Sequence, residues 1–325
     1  MTFLITGGAG FIGSHLTAAL LKRGDRVISV DNLSTGSMDN IRPFMDSERF
    51  TFVLRDLVDA DQNEIDEMIA GSDAVCHLAA AVGVELVVSS PVHTILTNVR
   101  ATEKVLTGCA AHGRRIIAAS TSEVYGKSAN ESFSETDDLL IGPSTHSRWG
   151  YACSKLLDEF YLMAYCREYN LPGTVVRFFN TVGPRQSGRY GMVIPRLVKA
   201  ALAGEDLPVY GDGTQSRCFC HVSDTVRAVL ALFDRPEASG NIYNIGSTHL
   251  VTINELAERI IKLTGSTSGI THIPYEKAYK PGFEDMHRRK PSIAKIGELT
   301  GWAPEISLDR IITDVADEIR RHGDR

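Results

Sequence analysis

The amino-acid sequence predicts an α/β fold, in which a doubly wound parallel sheet is followed by a smaller C-terminal α/β lobe. Short runs of β-branched residues alternate with amphipathic helical stretches over the first 180 residues, which is typical of βαβ units. The β-branched runs are hydrophobic almost throughout, as strands are when helices cover both faces of their sheet.

The elements follow in a regular order. The predicted strands of the first part lie at 2–6, 26–30, 51–54, 74–78, 115–119 and 174–178, and helices are predicted at 14–22, 94–112 and 151–169. After residue 180 we expect a helix at 191–203, strands at 207–210 and 242–245, and a last helix near 308–322. The segment 266–293 has weak periodicity and is too long for an idle connection, so we interpret it as a functional loop. We therefore predict a first domain at 1–180, with a return segment near 219–246, and a second lobe that covers mainly 181–325.

The composition excludes several classes of protein. The chain has 325 residues, of which 43% are hydrophobic and 23% charged, and its net charge of -6 provides no basic surface for nucleic acid or a membrane. No apolar run approaches the ~18 residues of a membrane span, and the N-terminus lacks the features of a signal peptide. The six cysteines are scattered without a CxxC spacing, which indicates buried thiols in a reducing compartment and no metal site. We expect a cytoplasmic protein.

A glycine-rich turn follows the first predicted strand. Gly7, Gly10 and Gly13 have a GxxGxxG spacing, and a helix begins directly after them. Such glycines allow a tight turn, close approach of the backbone to a pyrophosphate, and close packing of helix on strand. The helix N-terminus then offers N–H groups and a positive dipole end to phosphates. By itself the turn is equally compatible with an ordinary tight turn, so the dinucleotide interpretation needs further residues.

Two acidic residues supply that support. Asp31 ends the second predicted strand, where a carboxylate binds the adenosine ribose hydroxyls in Rossmann-type domains. A carboxylate there repels a 2′-phosphate, and Asn32 and Leu33 offer no arginine to bind one, which favours NAD over NADP. The alternative for Asp31 is a solvated turn residue. Asp56, after the third strand, is expected either to bond the adenine amine or to cap a helix.

Tyr151 and Lys155 lie four residues apart in a helical segment, so their side chains share one helix face. The pKa of a free tyrosine is about 10, too high for a base at neutral pH, and a nearby ammonium together with an oxidised nicotinamide would lower it. A YxxxK spacing alone usually indicates a surface pair. Here it follows a strand that ends in the hydroxyls of Ser120, Thr121 and Ser122, and ligands of α/β sheets bind at such strand ends.

Together these motifs resemble the extended short-chain dehydrogenase/reductase family, which includes nucleotide-sugar epimerases, 4,6-dehydratases and decarboxylases. The resemblance covers nearly the whole chain. It is carried by the glycine turn with Asp31, the segments 77–80, 120–126 and 177–185, Asn98, and the Tyr151/Lys155 pair.

The resemblance implies a cofactor, a first chemical step and an assembly. Tyr151 would remove the proton from the C4 hydroxyl of a nucleotide-linked sugar while hydride passes to NAD, with Thr121 hydrogen-bonded to the same oxygen. A homodimer would form by four-helix packing of the helices at 94–112 and 151–169. The residues implied around NAD are Gly7, Gly10, Phe11, Ile12, Gly13, Asp31, Asn32, Asp56, Leu57, Leu78, Ala79, Ala80, Asn98, Tyr151, Lys155 and Phe178.

Three catalytic candidates distinguish the branches of the family. Dehydratases usually carry an adjacent Asp-Glu pair where this chain has Ser122-Glu123, and the segment 120–126 is similar to that of UDP-glucuronate decarboxylases. Arg289 resembles the arginine that lies beside the sugar carboxylate in those decarboxylases, although Ser292 stands where they usually have Asp. The alternative for Glu123 is a helix-start or loop carboxylate, and a basic run such as 288–290 is more often a solvated face when the resemblance is set aside.

A set of residues resembles the nucleotide-binding positions of the same relatives. Arginine offers bidentate contacts to phosphate, which suits an acidic protein. The match favours UDP over dTDP. The residues are Asn180, Arg189, Val193, Tyr210 and Arg217, with Arg289 at the sugar end.

The sequence thus predicts NAD-dependent decarboxylation of UDP-glucuronate. A UDP-4-keto intermediate would lose CO2 and be reduced to UDP-xylose, or leave early as a UDP-4-keto-pentose. The main alternative is a 4-epimerase of UDP-glucuronate or UDP-glucose/galactose, because the apolar loop at 81–85 departs from the decarboxylase pattern. Ser122 disfavours a 4,6-dehydratase, and the retained Tyr151 and Lys155 disfavour a non-catalytic NAD-binding regulator.

Overall fold

A computed structural model of the chain describes residues 1–83, 89–188, 192–275 and 288–323. The strands are β1 Thr2–Thr6, β2 Arg26–Asp31, β3 Phe50–Leu54, β4 Ala74–His77, β5 Arg115–Thr121, β6 Gly173–Phe178, β7 Thr181–Val182, β8 Leu207–Tyr210, β9 Ser216–Cys218, β10 Cys220–His221, β11 Asn241–Ile245, β12 Leu250–Thr252, β13 Ile270–Ile273 and β14 Arg288–Arg289. The helices are α1 Phe11–Arg23, α2 Met38–Ile41, α3 Gln62–Ala70, α4 Pro91–His112, α5 Arg148–Glu168, α6 Val193–Ala203, α7 Val222–Phe233, α8 Ile253–Thr264, α9 Ala294–Thr300 and α10 Leu308–His322.

A seven-stranded parallel sheet forms the centre of the fold, in the order β11-β6-β5-β4-β1-β2-β3. The predicted Rossmann-type α/β fold is therefore confirmed. The chain runs outward from β1 to β3 and then continues on the other side of β1 with β4. At such a reversal a crevice opens at the carboxyl ends of the strands, where ligands bind. This end of the sheet carries the glycine turn after β1, Asp31 at the end of β2 and Thr121 at the end of β5.

Helices bury both faces of the sheet. One apolar core lies under α1 and α7 and includes Leu16 and Leu232, and the opposite core lies under α3, α4 and α5 and includes Ile65 and Leu162. Both faces of the central strands are thus removed from water, which explains why the strand sequences are apolar throughout.

A second group of elements follows β6, and α6, α8 and α10 enclose its own apolar core. One short parallel pairing matters for the site, because β14 pairs with β9 and places Arg289 beside Arg217. The segment 266–293, which we interpreted as a functional loop, contains a strand near each end, β13 and β14. Residues 276–287 between them lie outside the described part. The weak periodicity of β13 has a simple reason, since it is at the edge of a small sheet and its residues are partly or fully exposed.

The described residues include no helix that is both long and apolar enough to cross a membrane. All six cysteines are free thiols, of which Cys153 is exposed.

Candidate active site

A cavity of about 1730 Å³ opens at the carboxyl ends of the sheet and extends toward the second group of elements. It brings together residues that are far apart in the sequence. Its lining includes the catalytic candidates Thr121, Ser122, Glu123, Tyr151, Lys155 and Arg289. It also includes Gly7, Gly10, Phe11, Ile12, Gly13, Asp31, Asn32, Asp56, Leu57, Leu78, Ala79, Ala80, Phe178, Asn180, Val193, Tyr210 and Arg217.

The glycine turn forms one end of this cavity. Gly7 has φ +71°, and a Cβ there would lie 2.8 Å from the backbone nitrogen of Ala79, which follows the neighbouring strand β4. A Cβ on Gly13 would overlap the carbonyl oxygen of Gly7. Helix α1 begins at Phe11 without a side-chain cap and without an acidic residue in its first turn. Its N–H groups are therefore available to an anion, and this part of the chain fits the pyrophosphate of a dinucleotide.

Asp31 is buried, so the alternative of a solvated turn residue is wrong. Its carboxylate accepts hydrogen bonds from the backbone nitrogens of Ala9 (3.0 Å) and Leu33 (2.8 Å), and it also faces the cavity. Burial raises the pKa of Asp31, while these backbone N–H groups lower it. The carboxylate thus ties the glycine turn to the end of β2 and remains at the place where a ribose would lie.

Asp56 does not cap a helix, so that alternative is wrong. The N-cap of α3 is Asp61, which forms a capping box with Glu64. Asp56 instead accepts hydrogen bonds from the backbone nitrogen of Val58 (2.8 Å) and the amide of Asn32 (2.7 Å). It lines the cavity beside Asn32.

Asn98 lies behind the cavity wall and not in it. Its side chain, 1% exposed, accepts from the backbone nitrogen of Ala81 (2.8 Å) and donates to the hydroxyl of Ser154 (3.1 Å). Ser154 in turn donates to the carbonyl of Tyr151. Asn98 therefore holds the loop after β4 against the helix that carries Tyr151. The apolar loop predicted to line the sugar pocket is described only to residue 83.

Helix α5 carries Tyr151 and Lys155 into the cavity. The hydroxyls of Tyr151 and Thr121 are hydrogen-bonded, while the ammonium of Lys155 is bound to the carboxylate of Asp158 at 2.8 Å. Burial raises the pKa of Tyr151 well above its ordinary value, and the negative charges of Glu123 and Asp158 add to this effect. The Asp158 carboxylate thus offsets the positive charge of Lys155 near Tyr151. An oxidised nicotinamide would add positive charge to this cavity, which favours the phenolate of Tyr151.

A charged cluster surrounds Glu123, which lies in the short 3-10 turn that follows β5. One carboxylate oxygen is 2.9 Å from the guanidinium of Arg289, and the other is 3.6 Å from that of Arg148. Burial alone would raise the pKa of Glu123, but Arg289, Arg148 and Arg217 outweigh it and hold this pKa below its ordinary value. Glu123 is therefore ionised at neutral pH, and these four side chains together carry a net positive charge.

Arg148 is a site residue that the sequence analysis missed. It begins α5 three residues before Tyr151, is 6% exposed, and packs its guanidinium over the ring of Trp149 at 5.4 Å. The i,i+3 spacing from Tyr151 is the signal that would have found it, since such residues share a helix face.

The far part of the cavity contains the predicted nucleotide contacts. Tyr210 lies under the guanidinium of Arg196, with 3.9 Å between the Arg196 Cζ and the ring centroid. Asn180 donates to the carbonyl of Cys218 at 2.9 Å, and Arg217 lies on the adjacent strand β9. Arg189 lies outside the described residues. An aromatic ring and guanidiniums in this part of the cavity suit a base and phosphates.

Comparison with known proteins gives consistent results. The sequence pattern of the NAD dependent epimerase/dehydratase family matches residues 3–246. A protein named UDP-N-acetyl-alpha-D-glucosaminuronate decarboxylase, from Bacillus cytotoxicus, is 42% identical over 94% of this chain and 94% of its own length. A protein named UDP-glucuronic acid decarboxylase 6, from Arabidopsis thaliana, is 34% identical over 95% of this chain and 85% of its own.

Solved structures with this fold include a UDP-glucuronic acid 4-epimerase from Bacillus cereus in complex with UDP-glucuronic acid and NAD. It is 29% identical, covers 99% of each chain and superposes with a TM-score of 0.87. The similarity therefore extends over both groups of elements.

Proposed function

Since the chain belongs to the NAD dependent epimerase/dehydratase family, we propose that it is an NAD-dependent decarboxylase of UDP-glucuronate. The products are UDP-xylose, or a UDP-4-keto-pentose when the intermediate leaves early. The observation that carries this proposal is the contact between Glu123 and Arg289 in the same cavity as Tyr151. A cation at this place can orient the carboxylate of a β-keto acid and stabilise the oxyanion that develops as CO2 leaves, whereas a 4-epimerase needs only room for the keto-sugar to turn.

Different residues of the chain bind the cofactor, bind the nucleotide sugar and transfer the proton. NAD, when bound, takes hydride from C4 of the sugar and later returns it. Residues 1–180, with the return segment 219–246, hold the cofactor through the glycine turn, Asp31 and Asn32. Residues 181–325 hold most of the nucleotide sugar, through Asn180 at the boundary, Val193, Tyr210, Arg217 and Arg189. Tyr151 takes the proton of the C4 hydroxyl, and Thr121 bonds the same oxygen.

The Glu123 cluster then acts on C5 and C6. A ketone at C4 makes the uronate a β-keto acid, so the C5–C6 bond can break with its electron pair moving into an enolate. Arg289 binds the leaving carboxylate in place of Glu123. Glu123 thereby loses its nearest cation and gains a neighbouring anion, and both changes raise its pKa. Glu123 can then take up a proton from solvent and supply it to C5, which replaces the carboxylate lost as CO2, while Arg148 holds the side chain in position.

A second candidate substrate is the 2-acetamido analogue, UDP-N-acetylglucosaminuronate. It is favoured by the 42% identical relative from Bacillus cytotoxicus, which is named for that sugar. The two uronates are the same at C4, C5 and C6, so the same residues serve both reactions. Only the contacts at C2 differ.

The test is to incubate the protein and NAD with each uronate in turn and to measure released CO2 and the product sugar. We expect CO2 and a UDP-pentose from at least one, and the ratio of kcat/KM values identifies the substrate. Formation of UDP-galacturonate without CO2 would overturn the proposal in favour of a 4-epimerase.

The proposal includes a cytoplasmic homodimer. Helices α4 and α5 together expose large apolar side chains, which include Val92 (69% exposed), Ile95, Leu96, Leu157 and Phe160 (63%). Such a patch on two adjacent helices is typical of a protein interface, and it supports four-helix packing with a second copy.

A further inference from the structure

The two groups that act on the carboxylate come from distant parts of the chain. Glu123 lies in the 3-10 turn Ser122–Tyr125, and Arg289 lies on the edge strand β14. An edge strand of two residues has few hydrogen bonds of its own to fix it. The distance between the two charges therefore depends on what holds the chain directly after Arg289.

Phe133 holds that segment by backbone hydrogen bonds. The nitrogen of Phe133 donates to the carbonyl of Lys290, and the nitrogen of Ser292 donates to the carbonyl of Phe133, both at 2.8 Å. Phe133 in turn stacks on the ring of Tyr125, with 4.7 Å between centroids. Phe133 thus connects the segment that follows Arg289 with Tyr125, which is the last residue of the 3-10 turn that contains Glu123.

Asn244 joins these pieces through one side-chain amide. It lies in β11, is fully buried, and donates from Nδ2 to the carbonyls of Phe133 (3.0 Å) and Ser292 (3.3 Å). Its Oδ1 accepts from the hydroxyl of Tyr125 at 2.8 Å. Both donor hydrogens and the acceptor are therefore used, each on a different segment.

Only an amide satisfies this arrangement. The site requires two donors facing two carbonyls and an acceptor facing a hydroxyl, within the length of an asparagine side chain. An aspartate of the same size would direct a carboxylate oxygen at both carbonyls, and an apolar side chain would remove one hydrogen bond from each of the three groups. Through Asn244, β11 of the central sheet is thus hydrogen-bonded to the segments that carry Glu123 and Arg289.

We propose that Asn244 is a positioning residue that sets the distance between Glu123 and Arg289, and through it the rate of CO2 loss. This inference rests on the proposed decarboxylation. The oxidation at C4 depends on Thr121, Tyr151 and Lys155, none of which the Asn244 amide touches. Disturbing Asn244 should therefore slow CO2 loss more than it slows the reduction of NAD.

The test compares Asn244→Asp and Tyr125→Phe with a control, Thr174→Val. Thr174 is buried in β6 and donates to the carbonyl of Ala238 at 2.9 Å, so Thr174→Val loses a buried hydrogen bond away from the site. A single turnover with excess enzyme measures the rise of reduced nicotinamide and the release of CO2 separately. Melting temperature and NAD affinity report the fold.

For Asn244→Asp we expect CO2 release to fall about 10–100-fold while NAD reduction stays within about threefold, since a displacement near 1 Å costs on that scale. Reduced nicotinamide then accumulates. Tyr125→Phe breaks one of the three bonds, and we expect a smaller effect of the same kind, about 3–10-fold. Thr174→Val should leave the rates of NAD reduction and of CO2 release unchanged, even if it lowers the melting temperature.

Equal slowing of both steps in Asn244→Asp, or the same split in Thr174→Val, would overturn the inference. If Asn244→Asp does not fold, Tyr125→Phe becomes the test. A wild-type ratio of CO2 release to NAD reduction in Tyr125→Phe would then overturn the inference. Hydrogen exchange at the amides of Phe133 and Ser292 should quicken in the folded variants, and unchanged exchange also counts against the role. If the wild-type protein releases no CO2 from either uronate, the proposed function itself is contradicted. That outcome is distinct from the outcomes above, which concern only the role of Asn244.

Discussion

Replacement of Glu123 by glutamine separates a decarboxylase from an epimerase most directly. The change keeps the size of the side chain and removes its negative charge. Glu123 is 19% exposed on its side chain and contacts two guanidiniums, at 2.9 Å from Arg289 and 3.6 Å from Arg148. The glutamine oxygen can still accept from one of them, so the fold should persist.

The magnitude follows from this geometry. Removing one partner of a buried ion pair costs about 3–5 kcal/mol in unfolding free energy, and the remaining amide contacts and partial exposure reduce this to about 2–3 kcal/mol. Arg289 is no longer held by an anion of the protein, so the substrate carboxylate should bind more tightly and KM should fall. Loss of the group that reprotonates C5 should slow formation of the UDP-pentose about 10²–10⁴-fold.

The assay follows reduced nicotinamide and the UDP-pentose in one turnover, with Glu305→Gln as the control. Glu305 forms an exposed pair with Arg227 at 3.1 Å and is 73% exposed, so its replacement should cost no more than ~1 kcal/mol and leave both steps unchanged. Formation of the UDP-pentose by Glu123→Gln at the wild-type rate, or equal slowing of NAD reduction, would refute the role given to Glu123.

Four further outcomes are expected. Tyr151→Phe should lower turnover about 10²–10⁴-fold while NAD affinity, measured by titration, stays unchanged; turnover at the wild-type rate would exclude Tyr151 as the base. Because the folded-state pKa of Glu123 is lowered, its stabilising effect is present above the ordinary carboxyl pKa of 4.5 and is lost as the pH falls through the lowered value. The difference in unfolding free energy between wild type and Glu123→Gln should therefore be constant at neutral pH and shrink in acid, and urea titrations that show a constant difference throughout would contradict this. Phe160→Glu should yield monomers in light scattering, unlike Met45→Glu on another exposed surface, and a dimeric Phe160→Glu would place the interface elsewhere. Asp31→Asn should reduce the preference for NAD over NADP about tenfold in kcat/KM, since one repulsive charge is removed, and an unchanged ratio would deny Asp31 that role.

Much of the fold followed from local patterns. The predicted strand at 2–6 and the last helix at 308–322 coincide with β1 and α10, because burial on both faces or along one stripe imposes a periodicity that the sequence must carry. Helix α5 begins at Arg148, three residues earlier than predicted, since its first turn contains Arg148 and Trp149 buried by tertiary contacts and not by an amphipathic pattern.

The glycine turn and the Tyr151/Lys155 pair were predictable because each is a single local spacing. Turn geometry and a shared helix face are properties of a few consecutive residues, so they are visible without the rest of the chain. The Lys155–Asp158 bond, by contrast, changes what the pair can do, and it depends on the burial of both side chains.

By itself the sequence determined the strand–helix order, the dinucleotide turn and the residue types at the candidate site. Only the tertiary structure brought Glu123 and Arg289 to 2.9 Å, added Arg148 to them, and placed Asn244 behind the pair. The reason is physical. Local conformation follows from neighbouring residues, whereas the distance between charges on separate segments is set by the hydrogen bonds and packing of every segment between them.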